Sequence, residues 1–339
     1  MSSNPTKLLI LGMGGTIAGL APNPAHDPLQ YTPGQLGVSD LLHSLASHAD
    51  FDGLELLTEQ ICNIDSCNLN ESLLTELGYR VRQGLEDPEI NGIVITHGTD
   101  TIEETAIFLH LTCGRLAYES GKVVAITGAM LPANVLNTDG PENLSLALRA
   151  TTRSVTINGV THQLKGGIVG AFAHRLIAAK NYAKRSSSEL DAPVASSPDL
   201  FLSERFDLKP PSKDLPIPTQ DQWPWVEVIT SHVSAKPVIL DFLLAQGVQG
   251  LVFAGTGQGN LHQNLLPGLI AAKNLNLPMI RGSRTGAGSI RNNVAMNDED
   301  LGTVPAGDLT VPKARIALQL AINASNLDKS LDWKKFLLQ

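Results

Sequence analysis

Short apolar runs alternate with longer amphipathic stretches through the first half of the chain. Residues 7–11 read as a buried strand that ends in the turn Gly12-Met13-Gly14-Gly15. Residues 54–57 form a second strand, followed by the polar loop 63–70. Beyond it Leu73, Leu74, Leu77, Val81 and Leu85 recur at helical spacing, with Asn70 as the N-cap. Residues 92–95, 123–126 and 168–172 continue the strand series, with helices over 101–113 and 143–152 between them. Such alternation predicts a parallel sheet covered by helices.

The pattern breaks after Lys184. A serine run, Ser186 to Ser188, precedes Pro193, Pro198, Pro210, Pro211, Pro216 and Pro218, and the irregular stretch ends near Trp223. A second α/β set follows, with strands at 226–230, 250–254 and 278–281 and helices at 237–246, 265–275 and 312–323. Pro312 suits the first turn of the last helix. This organisation predicts an N-terminal catalytic α/β domain over 1–208, a linker over 209–224 and a C-terminal α/β domain over 225–339. At 339 residues the chain exceeds what one hydrophobic core usually supports, so two domains are expected.

Charge narrows the partners. With 25 basic against 33 acidic residues the net charge is -8, which disfavours nucleic acid and anionic membranes. No apolar run approaches the roughly 20 residues of a membrane span. Cys62, Cys67 and Cys113 are too few for a disulfide framework, so a reduced, cytoplasmic protein is expected. Histidines are scattered without His-x-x-x-His or a Cys/His cluster, and no metal is expected.

Three polar turns carry the candidate chemistry. The first, Gly12-Met13-Gly14-Gly15-Thr16-Ile17, lacks the third glycine of a dinucleotide fingerprint because Ile17 stands there. By itself it is a tight turn, but Gly14 and Gly15 permit close approach and set Thr16 at the mouth of the sheet. The second, Thr96-His97-Gly98-Thr99-Asp100-Thr101, leads into Glu103 and Glu104. Asp100 at the N-cap with Glu103 three residues on resembles a capping box, yet the hydroxyls and charges exceed what a cap needs. The third is Asn63-Ile64-Asp65-Ser66-Cys67-Asn68, where a hydroxyl beside a helix start suits a carboxylate. Cys67 has no histidine partner nearby in sequence and reads poorly as a nucleophile.

Taken together, these turns resemble the bacterial L-asparaginase family (the asparaginase/glutaminase type) over nearly the whole chain. Gly14-Gly15-Thr16-Ile17-Ala18 and Thr96-His97-Gly98-Thr99-Asp100-Thr101 resemble its two threonine signatures. Further matches are Tyr31 in Tyr31-Thr32-Pro33-Gly34, Ser66 after Asp65, Gly128-Ala129-Met130-Leu131-Pro132 and Asp139-Gly140-Pro141-Glu142-Asn143-Leu144. Ala254-Gly255-Thr256-Gly257-Gln258-Gly259-Asn260 and Lys313-Ala314-Arg315 match in the second half. The resemblance implies an α/β fold: a larger, mostly parallel N-terminal sheet flanked by helices, and a smaller flavodoxin-like C-terminal domain.

It also implies hydrolysis of L-asparagine through a threonine acyl-enzyme, without a cofactor. Thr16 would be the nucleophile and Tyr31, on a lid over residues 20–31, its neighbouring base. Thr99, Asp100 and Lys184 would form the second catalytic group, with Lys184 polarising Thr99 and Asp100 holding the substrate ammonium. Gly15, Ser66, Cys67, Ala129 and, from a neighbouring subunit, Asn260 would complete the substrate contacts. A homotetramer built as a dimer of intimate dimers is implied as well.

The chain departs from the family at two points. Cys67 and Asn68 stand where periplasmic members have glutamine and aspartate, and no acid stands near Ala295, where many have a cross-subunit glutamate. Weaker hold on the ammonium implies weak glutaminase activity. Alternatives are a glutaminase-asparaginase of broader specificity and a non-catalytic amino-acid sensor. A related amidotransferase subunit is expected to carry a further domain ahead of Gly12.

Overall fold

The computed structural model describes residues 6–45, 53–157, 159–190, 193–195 and 208–337. The chain divides into two compact units, Met1–Asp214 and Leu215–Gln339. Of the proline-bearing stretch, 191–192 and 196–207, Pro198 included, lie outside the described residues.

The first unit runs β1 (Thr6–Gly14), α1 (Val38–Leu45), β2 (Leu54–Ile64), α2 (Glu71–Glu86), β3 (Gly92–Thr96), α3 (Ile102–Glu119), β4 (Val123–Thr127), α4 (Gly140–Thr151), β5 (Ser154–Ile157), β6 (Val160–Gln163), β7 (Gly167–Phe172), β8 (Arg175–Ala178), β9 (Tyr182–Lys184) and β10 (Pro193–Ala195). Its main sheet has the order β2-β1-β3-β4-β7-β8. All neighbours are parallel except β7 and β8. Every residue of β3 and β4 is buried, as strands covered on both faces require. Leu8, Ile10, Val94 and Ala125 pack with Leu144, Ala147 and Leu148 of α4.

Local signals in the sequence work as expected at α2. The Asn70 side chain accepts the Leu73 N–H at 3.0 Å, and Leu74, Leu77, Val81 and Leu85 are buried. At α3 the capping box does not form. Thr101 occupies the N-cap without a side-chain cap, because its hydroxyl donates to the Ser66 carbonyl at 2.8 Å. Asp100 is drawn instead to Lys184. The residues that would have finished a helix are spent on joining loops.

Elements absent from the sequence pattern are short. The hairpin β5–β6, the antiparallel strand β8 and the β9–β10 pair fall below the length at which periodicity separates strand from loop. The β7–β8 turn holds Ala173 at φ 47° and His174 at φ 58°, the paired left-handed conformation of a two-residue hairpin turn.

The second unit runs β11 (Val226–Thr230), α5 (Val238–Ala245), β12 (Gly250–Gly255), α6 (Leu266–Asn274), β13 (Met279–Ser283), α7 (Asp298–Leu301), β14 (Val304–Pro305), α8 (Val311–Leu327) and α9 (Lys334–Leu337). Its four strands are parallel and in sequential order. Alternate residues of β12 serve opposite faces: Leu251 and Phe253 join Leu240 and Leu269, while Val252 joins Leu318 and Ile322. Among the described residues no helix is long and apolar enough to cross a membrane.

A buried ion pair organises the loops of this unit. Arg281, fully buried, donates to both oxygens of Asp298, at 2.7 and 2.6 Å. Its remaining donors reach the carbonyls of Gln258 at 2.5 Å and Arg291 at 3.0 Å. Asp298 also accepts from the Thr303 hydroxyl at 2.6 Å and the Asn293 N–H at 2.9 Å. Burial alone would raise its pKa, but these donors hold the carboxyl below its ordinary value. The guanidinium thereby pins the turn that carries Asn260. Asp298→Ala would strand a buried cation, and we expect a loss of about 3–5 kcal/mol in urea unfolding of the full chain. A loss within about 0.5 kcal/mol of zero would show that water replaces the carboxylate.

Candidate active site

The candidate site lies where four loops leave neighbouring strands of the first unit. β1 passes into Gly14 and Gly15, at φ 86° and 80°, a region open to glycine but costly for other residues. The Gly15 N–H donates to the Ile64 carbonyl at 2.8 Å, tying this turn to the end of β2. A side-chain carbon on Gly15 would collide with the Gly98 backbone, and one on Gly98 would stand 2.6 Å from the Ser66 hydroxyl. The three polar turns therefore meet at Gly15, Gly98 and Ser66. Gly128, after β4, packs against the His97 carbonyl and the Thr99 methyl.

On this frame the candidate residues form two hydroxyl-centred groups. The Thr16 Oγ1 lies 2.8 Å from the Tyr31 hydroxyl, and either can donate. Tyr31 arrives on the loop over 20–31, whose root is closed by paired bonds between Leu20 and Thr32, both 3.0 Å. The Asn134 side chain exchanges two more bonds with Ala21, at 2.9 and 2.8 Å. In the second group Lys184 Nζ donates to Thr99 Oγ1 at 3.0 Å and to Asp100 Oδ1 at 2.5 Å. Thr16, Thr99 and Ser66 are buried, whereas the Asp100 side chain is 54% exposed and can face an incoming cation.

Several candidates have other placements. Ala129 is fully buried, so any contact it offers a ligand comes from its main chain. Cys67 is exposed, and its N–H donates to the Asp65 side chain at 3.3 Å. Asn260 belongs to the second unit, where it closes the glycine turn through paired backbone bonds with Thr256 at 2.9 and 2.8 Å. Burial pushes the Cys62 and Cys113 thiols up to about 11, which keeps both protonated near neutrality.

Sequence reasoning gave no role to Asn134, Asp139 or Asn143. Asn134 has no sequence signal at all, being a lone amide two residues beyond Pro132. Asp139 and Asn143 were visible as part of a motif, and the structure shows both bonded to the turn after β4. Burial raises the Asp139 carboxyl, opposed by the N–H groups of Met130 and Leu131. Beside the Thr16 turn lies a cavity of about 150 Å³ lined by Ile17, Leu20, Leu41 and Leu144, too apolar to receive an amide and two charges.

Two hydroxyls, one beside a phenol and one beside a lysine–carboxylate pair, fit nucleophilic attack on an uncharged acyl group. Residues 7–200 match the family described as Asparaginase, N-terminal, and residues 225–331 the Glutaminase/Asparaginase C-terminal domain. The chain belongs to the asparaginase family of hydrolases. It is 30% identical to the probable periplasmic L-asparaginase of Haemophilus influenzae, over 93% of this chain and 88% of that protein. It is 28% identical to the glutaminase-asparaginase of Pseudomonas fluorescens biotype A, over 96% and 88%. The crystal structure of the probable cytoplasmic L-asparaginase from Campylobacter jejuni superposes with a TM-score of 0.82 at 28% identity, covering 98% of this chain and 99% of that one.

His97 illustrates how the second turn is held. It is buried, its Nδ1–H donates to the Gly98 carbonyl at 2.7 Å, and its Nε2 accepts from the Thr105 hydroxyl at 2.9 Å. Burial lowers its pKa from 6.5 to about 4, so the ring is neutral near pH 7. The unfolded chain binds that proton between about pH 6.5 and 4 and the folded chain does not, so stability is lost as pH falls through this window. We expect this residue to cost about 3 kcal/mol of stability between pH 7 and 4. In urea unfolding, the gap between wild type and His97→Gln should narrow by that amount. A gap independent of pH would mean the ring stays solvated.

Proposed function

We propose that this chain hydrolyses L-asparagine to L-aspartate and ammonia through a threonine acyl-enzyme, with only weak activity on L-glutamine. The carrying observation is the convergence of the Thr16–Tyr31 pair and the Thr99–Asp100–Lys184 group on turns whose glycines touch. Thr16 Oγ1 attacks the side-chain carbonyl carbon and passes its proton to the Tyr31 oxygen, while the phenol hands its own proton on to the substrate nitrogen. The C–N bond breaks, the nitrogen leaves as ammonia with that proton, and an ester to Thr16 remains. Water then cleaves the ester and restores the hydroxyl. The Lys184 ammonium polarises Thr99 for proton delivery. Asp100 divides its carboxylate between Lys184 and the substrate ammonium, and Ser66 with Gly15 receives the α-carboxylate.

Weak glutaminase activity follows from the missing acid near Ala295. Loss of one charge-assisted bond weakens the hold on the ammonium by about 1.5–3 kcal/mol, and a longer substrate has fewer compensating contacts. The glutaminase-asparaginase from Pseudomonas fluorescens keeps a broader specificity as the second reading. We further propose a cytoplasmic homotetramer in which Asn260 reaches a neighbouring subunit's site. The three free cysteines support the compartment, although relatives are named for both compartments.

Ammonia release from L-asparagine tests the mechanism. We expect Thr16→Ala and Thr99→Val each to lose about a thousandfold or more in kcat. Full activity in both variants would remove the threonine mechanism. For wild type, kcat/KM on L-glutamine should lie more than about tenfold below that on L-asparagine. Parity between the two amides would favour the broader reading.

A further inference from the structure

Asp139 and Asn143 sit four residues apart at the start of α4, and their side chains bond main chain outside the helix. The Asp139 carboxylate accepts the Met130 N–H at 3.1 and 2.9 Å through its two oxygens, and the Leu131 N–H at 2.9 Å. It also accepts from Asn143 Nδ2 at 3.0 Å. Asn143, 2% exposed, donates from the same nitrogen to the Gly128 carbonyl at 3.0 Å. Its oxygen accepts the Ala173 N–H at 2.8 Å, from the first of the two left-handed residues of the β7–β8 turn. Three backbone donors and one carbonyl in two turns are thus satisfied by two side chains.

The turn they grip is part of the candidate site. It follows β4, and Gly128 lies against the Thr99 methyl. A side-chain carbon on Gly140, at the head of α4, would stand 3.2 Å from Ile17 and 3.5 Å from Ala129. The head of α4, the turn after β4 and the Thr16 turn are therefore packed as one body. A shift of the 128–131 backbone would move what the substrate meets.

We propose that Asp139 and Asn143 are positioning residues for amide hydrolysis, which hold the main chain around Ala129 at the distance the substrate requires from Thr16 and Thr99. The proposal rests on the hydrolase reading above and on Ala129 as a substrate contact. Only a carboxylate offers acceptors to every donor around Asp139. Asparagine there keeps the shape but turns an N–H₂ toward N–H groups, leaving at least one buried donor unpaired.

The test measures kcat and KM for L-asparagine in the full chain, with an internal control. Asp214 is a carboxylate of the same unit that also accepts two backbone N–H groups, those of Arg115 at 2.7 Å and Leu116 at 2.9 Å, and these belong to α3. We expect Asp139→Asn to raise KM about tenfold or more with kcat changed less than about threefold. Asp214→Asn should lower the melting temperature while leaving both constants within about twofold of wild type. A wild-type KM in Asp139→Asn, or an equal rise in Asp214→Asn, overturns the proposal. Should Asp139→Asn fail to fold, Asn143→Ala leaves Asp139 on Met130 and Leu131, and a raised or unchanged KM decides in the same way. A wild-type enzyme that released no ammonia from L-asparagine would sink the hydrolase reading itself. Activity in wild type with an unaltered Asp139→Asn sinks only the positioning role.

Discussion

Gly15 lies on the Gly98 backbone and Gly98 on the Ser66 side chain, so neither position has room for a side-chain carbon, and the chemistry of the first unit is arranged around this junction. Each glycine is followed at once by a threonine, so Thr16 and Thr99 each stand one Cα step, about 3.8 Å, beyond the contact. Alanine at Gly15 would force the turns apart, because its obstacle is the Gly98 backbone and cannot rotate away, whereas alanine at Gly98 would press first on the Ser66 side chain. Ser66 is bound into the same junction through the space left by Gly98 and through the bond from Thr101 to its carbonyl. The missing atoms matter here as much as the hydroxyls that are present.

Sheet topology explains why these turns can meet. β2, β1, β3 and β4 are consecutive neighbours and all parallel, so their C-terminal ends emerge side by side along one edge. That edge is where open α/β sheets present their ligand-binding loops. Each strand delivers one piece: the Ser66 loop, the Thr16 turn, the Thr99 turn and the turn at Gly128. Lys184 arrives by a different route. The chain reverses at β8, passes through the short turn Ala179–Asn181, and enters β9, whose last residue is the lysine. An antiparallel detour thus brings a cation to a site otherwise built by parallel strands.

Long, strongly patterned elements were legible from residues alone. Buried strands such as those over 92–95 and 123–126 are continuous apolar runs, and α2 shows both its apolar stripe and its Asn70 cap. Short pieces were not, because four residues of β5 or β8 carry too little periodicity to outweigh a loop assignment. The α3 start is more informative. Local grammar favours Asp100 as a cap, but tertiary partners outbid it: Lys184 takes the carboxylate and Ser66 the Thr101 hydroxyl. Departure from a local rule coincides with the candidate site, where side chains serve the fold less than the ligand. Asn134 illustrates the opposite limit, since two bonds to Ala21, 113 residues away in sequence, leave no local trace.

The disposition of carboxylates bears on how this chain would recognise an amino acid. Near Ala295 the first acid along the chain is Asp298, and both of its oxygens are committed to Arg281, with Thr303 and Asn293 completing its bonds. Releasing it to meet a ligand would leave a guanidinium buried without its counter-ion, a cost of several kcal/mol that one ligand contact does not offset. Recognition of the ammonium in the proposed mechanism therefore falls on Asp100, which already neutralises Lys184. A carboxylate shared between two cations holds each less tightly than it would hold one. Its exposure also lets water screen the interaction. Under these conditions selectivity has to come from where the amide is held, which returns the problem to the turns fixed by Gly15, Gly98 and the Asp139–Asn143 pair.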